Sequence, residues 1–337
     1  MRVAIIIVGF RNAADISNCL TYLDRQTHAA FTVHICENGG REAYRRLVAI
    51  LPNAQGPSTK ADGKAGVEPN APSILQTTEA ALPTTGLPVF LHEASGNLGY
   101  AGAINLCLRL LAPRDDWDAV WVLNPDTEPA PEALAALIEY GARGPYGIVG
   151  SRLLLKETGR VQLYGGRWRK WIARGYNIGR AAPADAVPDV EAIEREMTYV
   201  VGASMFVTRR FIETVGPMEE GYFLYNEEVD WCHRRGAFQL GYAHASVVYH
   251  QQGTAIGSHR TRAGTSPLSV YLIERNKILF TQRFYPRVFP AIALVALALT
   301  AQYMTEGAFR NFVVALRGWW AGVRGERGEP RTSFARS

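Results

Sequence analysis

The sequence contains little cysteine. Its 337 residues include four, Cys19, Cys36, Cys107 and Cys232, and their spacing gives neither a CxxC pair nor another metal-binding pattern. These absences exclude a disulfide scaffold and a cysteine-rich zinc module. A reduced, cytosolic chain is therefore expected.

The sequence also has no long uninterrupted hydrophobic run. The N-terminal apolar stretch lasts about seven residues before Arg11, which is short for the core of a signal peptide. The longest later stretch, residues 290–301, has about twelve apolar residues, whereas a membrane-spanning helix needs about 20. We therefore expect no membrane span, and we interpret the first stretch as a buried strand.

The common nucleotide-binding motifs are absent as well. The loop SGNLGYAGAIN, which begins at Ser95, has no GK[ST] ending and does not match GxGxxG. Its glycines at 96, 99 and 102 would let backbone N–H groups approach a phosphate or a sugar at the start of a helix. An ordinary turn between a strand and a helix has the same pattern, so the loop alone leaves both interpretations open.

Charge is distributed unevenly. The net charge is +5, but residues 256–337 contain twelve Lys or Arg and four Asp or Glu, a local charge of +8, so the remainder carries −3. A basic segment can serve nucleic acid, an anionic membrane or phosphorylated ligands, and it can equally be a solvated face. In this segment Trp319 and Trp320 alternate with arginines, a composition that suits a membrane interface or a protein partner.

Hydrophobic periodicity predicts alternating strands and helices in the first half of the chain. Strands are predicted at residues 3–8, 31–36, 89–92 and 119–123, and helices at residues 15–25, 41–51, 100–111 and 131–140. Residues 52–88, rich in Pro, Gly, Ala, Ser and Thr, are predicted to form a long surface loop. Continuous apolar strands alternating with helices indicate an α/β fold with a Rossmann-like, mostly parallel sheet covered on both faces.

The second half is less regular. Residues 161–178 suggest short strands and loops, and residues 198–208 a strand interrupted at Gly202-Ala203, where a ligand or another backbone can approach. A helix capped by Asn226 is predicted, with Glu227, Glu228 and Asp230 in its first turn, where the helix N-terminus should keep the pKa of Glu228 low. Acidic residues at this position can also have a purely structural role, because they interact favourably with the helix dipole. A strand at 241–249 ends at His250, a position that a structural histidine can also occupy.

Ligands of parallel sheets bind outside the carboxyl ends of the strands. Polar or glycine residues follow four of the predicted strands: Gly9-Phe10, Glu37-Asn38, the loop from Ser95, and Asn124-Pro125-Asp126 in the stretch VWVLNPDTEP. The prolines of that stretch end its strand, because proline cannot donate to a continuing ladder. A carboxylate, Asp126, is thus expected in a crevice at this edge.

In this order, the motifs resemble glycosyltransferase family 2, and in particular its bacterial rhamnosyltransferase-like branch. The resemblance covers roughly residues 3–286 and rests on eight elements: IIIVGFRN, Glu37-Asn38, Asn97-Leu98-Gly99-Tyr100-Ala101-Gly102 with Asn105, Asn124 to Thr127, Gly202-Ala203, Tyr225 to Asp230, His250, and Arg275-Asn276. Three positions depart from the usual pattern: Glu37 and Glu228 replace aspartates, and Arg11 stands where asparagine is common.

The resemblance implies a GT-A fold and an inverting, metal-dependent transfer from a nucleotide sugar. It implies Glu228 as the catalytic base, and Asp126 with His250 as ligands of Mg²⁺ or Mn²⁺. Acceptor-binding or orienting roles are expected for Glu227, Asp230 and Trp231. Donor-binding roles are expected for Gly9, Phe10, Glu37, Asn97, Gly99, Asn124, Gly202, Ala203 and Arg275.

We expect a dTDP- or UDP-linked donor, a saccharide or lipid-linked acceptor, and no nucleic-acid partner. The expected domains are a catalytic domain at residues 1–255 and a basic, helical C-terminal appendage at residues 256–337. The appendage would meet a membrane surface, placing the protein at the inner face of the membrane, or form a homodimer. Two rival classes are a glycoside hydrolase, which would not explain Asn-Pro-Asp-Thr, and a non-catalytic sugar-nucleotide-binding subunit on the same fold.

Overall fold

The computed structural model describes residues 1–51, 53–60, 72–251 and 261–330. Its strands are β1 (Val3–Gly9), β2 (Phe31–Glu37), β3 (Gln55–Lys60), β4 (Ile74–Ala81), β5 (Pro88–Ala94), β6 (Ala119–Leu123), β7 (Thr127–Pro129), β8 (Tyr146–Leu155), β9 (Val161–Leu163), β10 (Gly165–Arg169), β11 (Arg174–Ile178), β12 (Ser204–Thr208) and β13 (Gln239–His250). Its helices are α1 (Ala13–Leu23), α2 (Arg41–Ile50), α3 (Gly99–Leu111), α4 (Ala133–Gly141), α5 (Val190–Glu196), α6 (Arg209–Val215), α7 (Glu227–His233), α8 (Pro267–Phe284), α9 (Phe289–Thr300), α10 (Gln302–Thr305) and α11 (Phe309–Val323).

Across the described residues, eleven strands form one mixed sheet, in the order β3-β4-β5-β2-β1-β6-β12-β8-β13-β7, with β9 paired to β8. The central strands β5, β2, β1 and β6 run parallel. The carboxyl ends of β1, β2 and β6 therefore reach the same edge of the sheet, as the sequence predicted. A separate antiparallel pair, β10 and β11, lies outside this sheet.

Helices cover both faces of the sheet, because side chains of each central strand alternate between two cores. In β1, Ala4 and Ile6 face the core that contains α3, while Ile5 and Ile7 face the core that contains α1, α2 and α4. The predicted apolar face of α1 is confirmed: its buried residues are Ile16, Cys19, Leu20 and Leu23. All four cysteines are buried and free, which agrees with the expectation of a reduced chain.

The prediction of a loop at residues 52–88 is wrong over its described part. β4 pairs antiparallel with β5, and β3 pairs with β4, so this segment adds two strands to one edge of the sheet. Their polar and small residues made the strands hard to recognise, because a strand near the edge of a sheet needs no continuous apolar run. Residues 52 and 61–71 of the predicted loop lie outside the described residues.

The C-terminal helices pack closely on one another and on the sheet domain. α11 approaches α8 through Gly318 and Gly322, where a Cβ atom would lie 2.4 Å from the Tyr271 carbonyl oxygen and 2.6 Å from that of Arg275. Phe280 of α8 joins the core formed by the sheet and α3. The proposed domain boundary at residue 255 lies outside the described residues and stays a prediction.

The apolar C-terminal run is longer than the sequence analysis counted. A helical stretch of 20 residues, Pro286–Thr305, has a mean hydropathy of 1.7, and 28% of its most apolar window is buried in the protein. By length and composition it is sufficient to cross a membrane, although a core helix of a soluble protein can pass the same test. The apolar run counted from the sequence covered only residues 290–301, and the helical turns before and after α9 supply the remaining residues of this stretch.

Candidate active site

The first wall of the site is the edge formed by the ends of β1 and β2. Glu37 is fully buried there, and its Oε1 accepts hydrogen bonds from the backbone N–H groups of Arg11 (3.1 Å) and Gly39 (2.7 Å). Its Oε2 is buried and has no hydrogen-bond partner among the described residues. A Cβ at Gly9 would lie 2.5 Å from that oxygen, so glycine is required beside it. The Phe10 ring lies next to this edge, 5.3 Å from the Arg11 guanidinium.

The glycine loop that precedes α3 is fixed by contacts on both sides. The Asn38 amide donates to the Gly99 carbonyl oxygen (2.9 Å), and Asn97 Oδ1 accepts from the Gly99 N–H (3.2 Å). Gly99 has φ +71°, and a Cβ there would lie 2.1 Å from the Phe223 carbonyl oxygen. The loop is therefore a tightly specified turn at this edge, and no side chain other than hydrogen fits at residue 99.

Tyr100 joins three of the sequence motifs. Its hydroxyl donates to the Gly202 carbonyl oxygen (2.7 Å) and lies 3.2 Å from Asn124 Oδ1. The backbone N–H of Asn124 in turn donates to the Ala203 carbonyl oxygen (3.0 Å). The pKa of Tyr100 is raised well above its usual value, first by burial and then by the negative charges of Glu227, Glu228 and Asp126. The phenol thus lies among the carboxylates that the sequence analysis selected.

Asp126 and His250 face each other at the end of β6. The distance from Asp126 Oδ1 to His250 Nε2 is 3.3 Å. The antiparallel pairing of β7 with β13 places His250 opposite Thr127, the residue after Asp126, and so keeps the two side chains together. His250 Nδ1 lies 2.8 Å from Gln162 Oε1. Since a carbonyl oxygen can only accept, Nδ1 donates to Gln162, and Nε2 is left facing Asp126.

This donor set fits a hard divalent cation that obtains most of its ligands from a substrate. A carboxylate oxygen and an imidazole nitrogen that face each other are two suitable ligands. No group of three or more metal-ligating side chains occurs among the described residues. Mg²⁺ and Mn²⁺ sites that include phosphate oxygens need few ligands from the protein, so the pair of Asp126 and His250 fits such a site.

Glu227 and Glu228 begin α7 in different environments. Glu227 is buried, its Oε2 has no hydrogen-bond partner among the described side chains, and burial followed by the charge of Glu228 raises its pKa well above the usual value. Glu228 keeps partial solvent access, and desolvation raises its pKa from 4.5 to about 7. Burial thus raises the pKa of both carboxyls, and the value of about 7 lets Glu228 exchange its proton near neutral pH.

The expectation of a low pKa for Glu228, based on the helix dipole, is wrong. Backbone N–H groups at the start of α7 do lower the pKa, but loss of water outweighs them. The expected side-chain cap is also absent: Asn226 precedes the helix with φ 76°, and its side chain makes no capping hydrogen bond. The raised pKa places Glu228 where a general base is most effective at neutral pH.

Asp230 and Trp231 contact other parts of the protein, and the acceptor-binding or orienting roles expected for them stay predictions. Asp230 is fully buried in an ion-pair network, accepting from Arg234 Nε (2.6 Å) and lying 3.0 Å from Arg283 Nη1. Trp231 is fully buried, donates to the Gly216 carbonyl oxygen (2.9 Å) and packs against Phe211. Both residues secure α7 to the core.

Arg275, expected to bind the donor, likewise contacts other parts of the protein. Its guanidinium is fully buried and donates to the carbonyl oxygens of Tyr222 (2.9 Å) and Gly328 (2.8 Å). The guanidinium of Arg275 therefore bonds to backbone carbonyl oxygens, and through Tyr222 it supports the segment that precedes Glu227. The resemblance selected the Arg275-Asn276 pair, and the structure shows Arg275 bonded to backbone carbonyl oxygens rather than open to a donor.

Three residues of the site were not selected from the sequence. Tyr100 stands inside the quoted glycine loop, so its motif was available, but its partners are more than 20 residues away in the chain. Asn276 belongs to the quoted Arg-Asn pair. Gln162, which orients His250, lies in β9 and has no recognisable sequence signal.

The parallel sheet with a carboxylate at the end of β6 and an acidic helix beside it defines a GT-A fold, the class of nucleotide-sugar-dependent glycosyltransferases. Two solved structures share this fold. A mannosyltransferase from Pyrobaculum calidifontis in complex with GDP-Man and Mn²⁺ has 13% identity and a TM-score of 0.51, with 96% of this chain and 75% of that chain covered. GalNAc-T7 with UDP, GalNAc and Mn²⁺ has 13% identity and a TM-score of 0.50, with 83% and 50% covered.

Sequence relatives indicate the same class, although no family model matches the chain. The low-salt glycan biosynthesis hexosyltransferase Agl10 of Haloferax volcanii is 24% identical over 246 residues, which are 71% of this chain and 76% of that protein. An N-acetylglucosaminyl-diphospho-decaprenol L-rhamnosyltransferase of Mycobacterium tuberculosis is 27% identical over 188 residues, half of this chain and 61% of that protein. The chain is thus similar to glycosyltransferases of the rhamnosyltransferase-like branch, and the expected GT-A fold is confirmed.

Proposed function

We propose that the protein is a metal-dependent, inverting glycosyltransferase of family 2, acting in cell-surface polysaccharide synthesis. It transfers a sugar, rhamnose by similarity to a relative, from a nucleotide diphosphate to a saccharide or lipid-linked acceptor. One observation carries the proposal: the Tyr100 hydroxyl brings the Asn124–Asp126 motif, the Gly202-Ala203 step and the Glu227-Glu228 pair together at the edge of the sheet.

The donor base belongs at the edge formed by β1 and β2. The buried Oε2 of Glu37, which has no hydrogen-bond partner among the described residues, requires an N–H donor from a ligand. The imide N–H of uracil or thymine is such a donor, and Phe10 offers a ring beside it. These contacts support a UDP- or dTDP-linked sugar, and the rhamnosyltransferase relative supports rhamnose as the sugar.

Asp126 and His250 are the residues that would hold Mg²⁺ or Mn²⁺ against the donor diphosphate. When bound, the cation stabilises the negative charge that develops on the leaving diphosphate. The Gly99 turn and the N-terminus of α3 lie at the same edge, where backbone N–H groups favour an anionic ligand. The diphosphate is therefore expected between the glycine loop and Asp126.

Glu228 is the general base of the proposed reaction. It accepts the proton of the acceptor hydroxyl while that oxygen attacks the anomeric carbon and the bond from this carbon to the diphosphate oxygen breaks. One displacement of this kind inverts the anomeric configuration. Glu227, whose pKa is raised by burial and by the charge of Glu228, lies beside Glu228 and is proposed to shape the acceptor side.

A lipid-linked acceptor suits the outer surface of the C-terminal helices. Leu294 of α9 and Phe309 of α11 have exposed fractions of 66% and 63%, and Trp320 of α11 is 54% exposed. Arg317 of α11 and Arg324, which directly follows that helix, are exposed as well. Exposed aromatic and aliphatic side chains combined with arginines favour the interface of an anionic membrane, which we propose as the partner of this surface.

Sugar transfer tests the proposed enzyme. Purified protein is incubated with a panel of nucleotide sugars, Mn²⁺ or Mg²⁺ and a crude lipid acceptor, and the Asp126→Ala variant is measured beside it. We expect metal-stimulated transfer by the wild type, and its loss in the variant together with metal-dependent donor stabilisation. An Asp115→Ala variant on the exposed surface is the matched control. Wild-type transfer by Asp126→Ala would contradict the assignment, and donor binding without transfer by the wild type would indicate a non-catalytic subunit.

Thermal shift identifies the donor from the same panel. A ligand at a hundred times its dissociation constant adds about 2.7 kcal/mol to the free energy of unfolding. A larger shift with UDP or dTDP sugars than with GDP sugars is expected from the proposed donor, although guanine also offers N–H donors to Glu37. The opposite order would exclude pyrimidine recognition by this edge.

Vesicle sedimentation tests the membrane surface. Binding to vesicles with anionic lipid should exceed binding to neutral vesicles and weaken with added salt. The double variant Leu294→Ser, Trp320→Ser should lose this binding and keep its melting temperature, because both side chains are exposed. Equal binding by the variant would refute the surface, and concentration-dependent dimerisation that the variant abolishes would assign it to a second copy of the chain.

A further inference from the structure

The segment that precedes the two glutamates has an unusual backbone. Phe223, Tyr225 and Asn226 have φ values of 65°, 71° and 76°, in the left-handed region that side chains other than glycine rarely adopt. Such conformations persist only where surrounding contacts determine them. The 220–226 loop therefore needs an external support, and its position determines where Glu227 and Glu228 begin α7.

That support comes from two adjacent residues of α8. The Asn276 side-chain amide lies within hydrogen-bonding distance of the carbonyl oxygens of Tyr222 (2.9 Å), Leu224 (2.7 Å) and Tyr225 (2.9 Å). Arg275 donates through Nε to Asn276 Oδ1 (2.9 Å) and through Nη2 to Tyr222 (2.9 Å). Both side chains are fully buried.

The chain after α11 completes this support. The Gly328 N–H donates to the Gly221 carbonyl oxygen (2.7 Å), and its own carbonyl accepts from Arg275 Nη1 (2.8 Å). We name the set Arg275, Asn276 and Gly328 the clasp. The clasp holds the 220–226 loop from the side opposite the sheet.

The loop also touches the donor side of the site. The Phe223 carbonyl oxygen accepts from the Tyr100 N–H (2.8 Å), at the position that a Cβ of Gly99 would fill. A displaced 220–226 loop would therefore disturb the contact with the glycine loop, although Asn38 and Asn97 hold Gly99 independently. The loop lies between the clasp and the edge where the donor is expected.

We propose that Arg275 and Asn276 are positioning residues, which act through the 220–226 loop to set the location of Glu228 against the donor site. The proposal rests on the proposed function for the role of Glu228 and extends it to the C-terminal helices. These helices then contribute to catalysis through the clasp as well as to the membrane surface.

Asn276→Ala is the main test, because it removes the amide that contacts three loop carbonyls. We expect kcat to fall by about tenfold to a hundredfold, as displacement of a reacting group does, with the KM for the donor unchanged. Water should reach Glu228 more easily, so the acidic limb of kcat/KM should move from about pH 7 towards lower pH. Thr281→Val, which removes a buried hydroxyl bonded to the Lys277 carbonyl of the same helix, is the matched control and should change neither.

Hydrogen exchange measured by mass spectrometry provides a readout that does not require activity. In Asn276→Ala, residues 220–229 should exchange faster than in the wild type, while Thr281→Val should leave them unchanged. If the wild type transfers no sugar, the proposed function fails, and this measurement still decides whether the clasp holds the loop.

Unchanged exchange with wild-type kcat and pH profile in Asn276→Ala would overturn the proposal. If that variant does not fold, Arg275→Lys takes its place, because lysine keeps the charge but cannot reach both the Tyr222 and Gly328 carbonyls in the same fork. Arg275→Lys should show the same changes in kcat, pH profile and hydrogen exchange, but smaller ones. If all three equal those of the wild type, positioning by the clasp is again rejected.

Discussion

Replacing Glu228 by glutamine should make the protein more stable and nearly inactive. Desolvation raises the pKa of Glu228 from 4.5 to about 7. Between these values the unfolded chain has lost the proton while the folded protein retains it, so the free energy of unfolding falls as the pH rises. At about 1.36 kcal/mol per pKa unit, the full loss above pH 7 is about 3 kcal/mol. Glutamine carries no charge and avoids this loss.

The stability difference should therefore depend on pH. Well above pH 7, Glu228→Gln should exceed the wild type by up to about 3 kcal/mol, and below the usual pKa of glutamate the two proteins should be equally stable. Transfer should fall by at least about a hundredfold, because a positioned base contributes 10²–10⁴-fold to the rate. Donor affinity should be retained, since the donor contacts lie at Glu37, Gly99 and Asp126.

Urea unfolding across the pH range measures the first effect, and transfer kinetics with donor thermal shift measure the second. Glu139→Gln, on the exposed face of α4, is the control for removal of a carboxylate and should show neither effect. Near-normal transfer by Glu228→Gln, with an inactive Glu227→Gln, would assign the base to Glu227. Loss of donor binding would make Glu228 a binding residue, and a stability difference independent of pH would refute the raised pKa.

Three further predictions follow from the geometry. Gly99→Ala should unfold at clearly lower urea concentration and lose donor binding, because its Cβ would meet the Phe223 carbonyl oxygen at 2.1 Å in a left-handed turn; a wild-type unfolding midpoint would contradict this. Glu37→Gln should weaken donor binding in thermal shift without loss of fold, because its amide N–H₂ would face the donor N–H that we propose Oε2 accepts. Burial lowers the pKa of His34 from 6.5 to about 4, beside His92, so stability present above pH 6.5 should fall by about 3 kcal/mol as the pH drops through 4; His34→Gln should flatten this part of the unfolding curve.

Local sequence patterns predicted the centre of the fold well. The period of α1 and the continuous apolar runs of β1 and β6 depend on burial that neighbouring residues share, so a short window of sequence contains the signal. Strands β3 and β4 have no such run. They form by pairing, β4 with β5 and β3 with β4, and a pairing between separate segments leaves no local sequence pattern.

The site was predicted in its membership better than in its chemistry. Glu228 was assigned a low pKa from its place in a helix, a local rule, whereas the tertiary burial that raises the pKa is invisible in the sequence. Arg275 was assigned to the donor because arginine commonly binds phosphate, yet the fold directs it to the carbonyl oxygens of Tyr222 and Gly328. Contacts between distant segments, such as that of Tyr100 with Gly202, require the three-dimensional structure.

The contact between Gly221 and Gly328 has a consequence for the order in which the protein matures. Chains fold from the N-terminus while they are synthesised, so the sheet, the glycine loop and Asp126 can assemble before α11 exists. The loop that presents Glu228 obtains its last hydrogen bonds only after residue 328 has left the ribosome. The elements proposed to hold the donor can therefore assemble before the loop that presents Glu228 is complete.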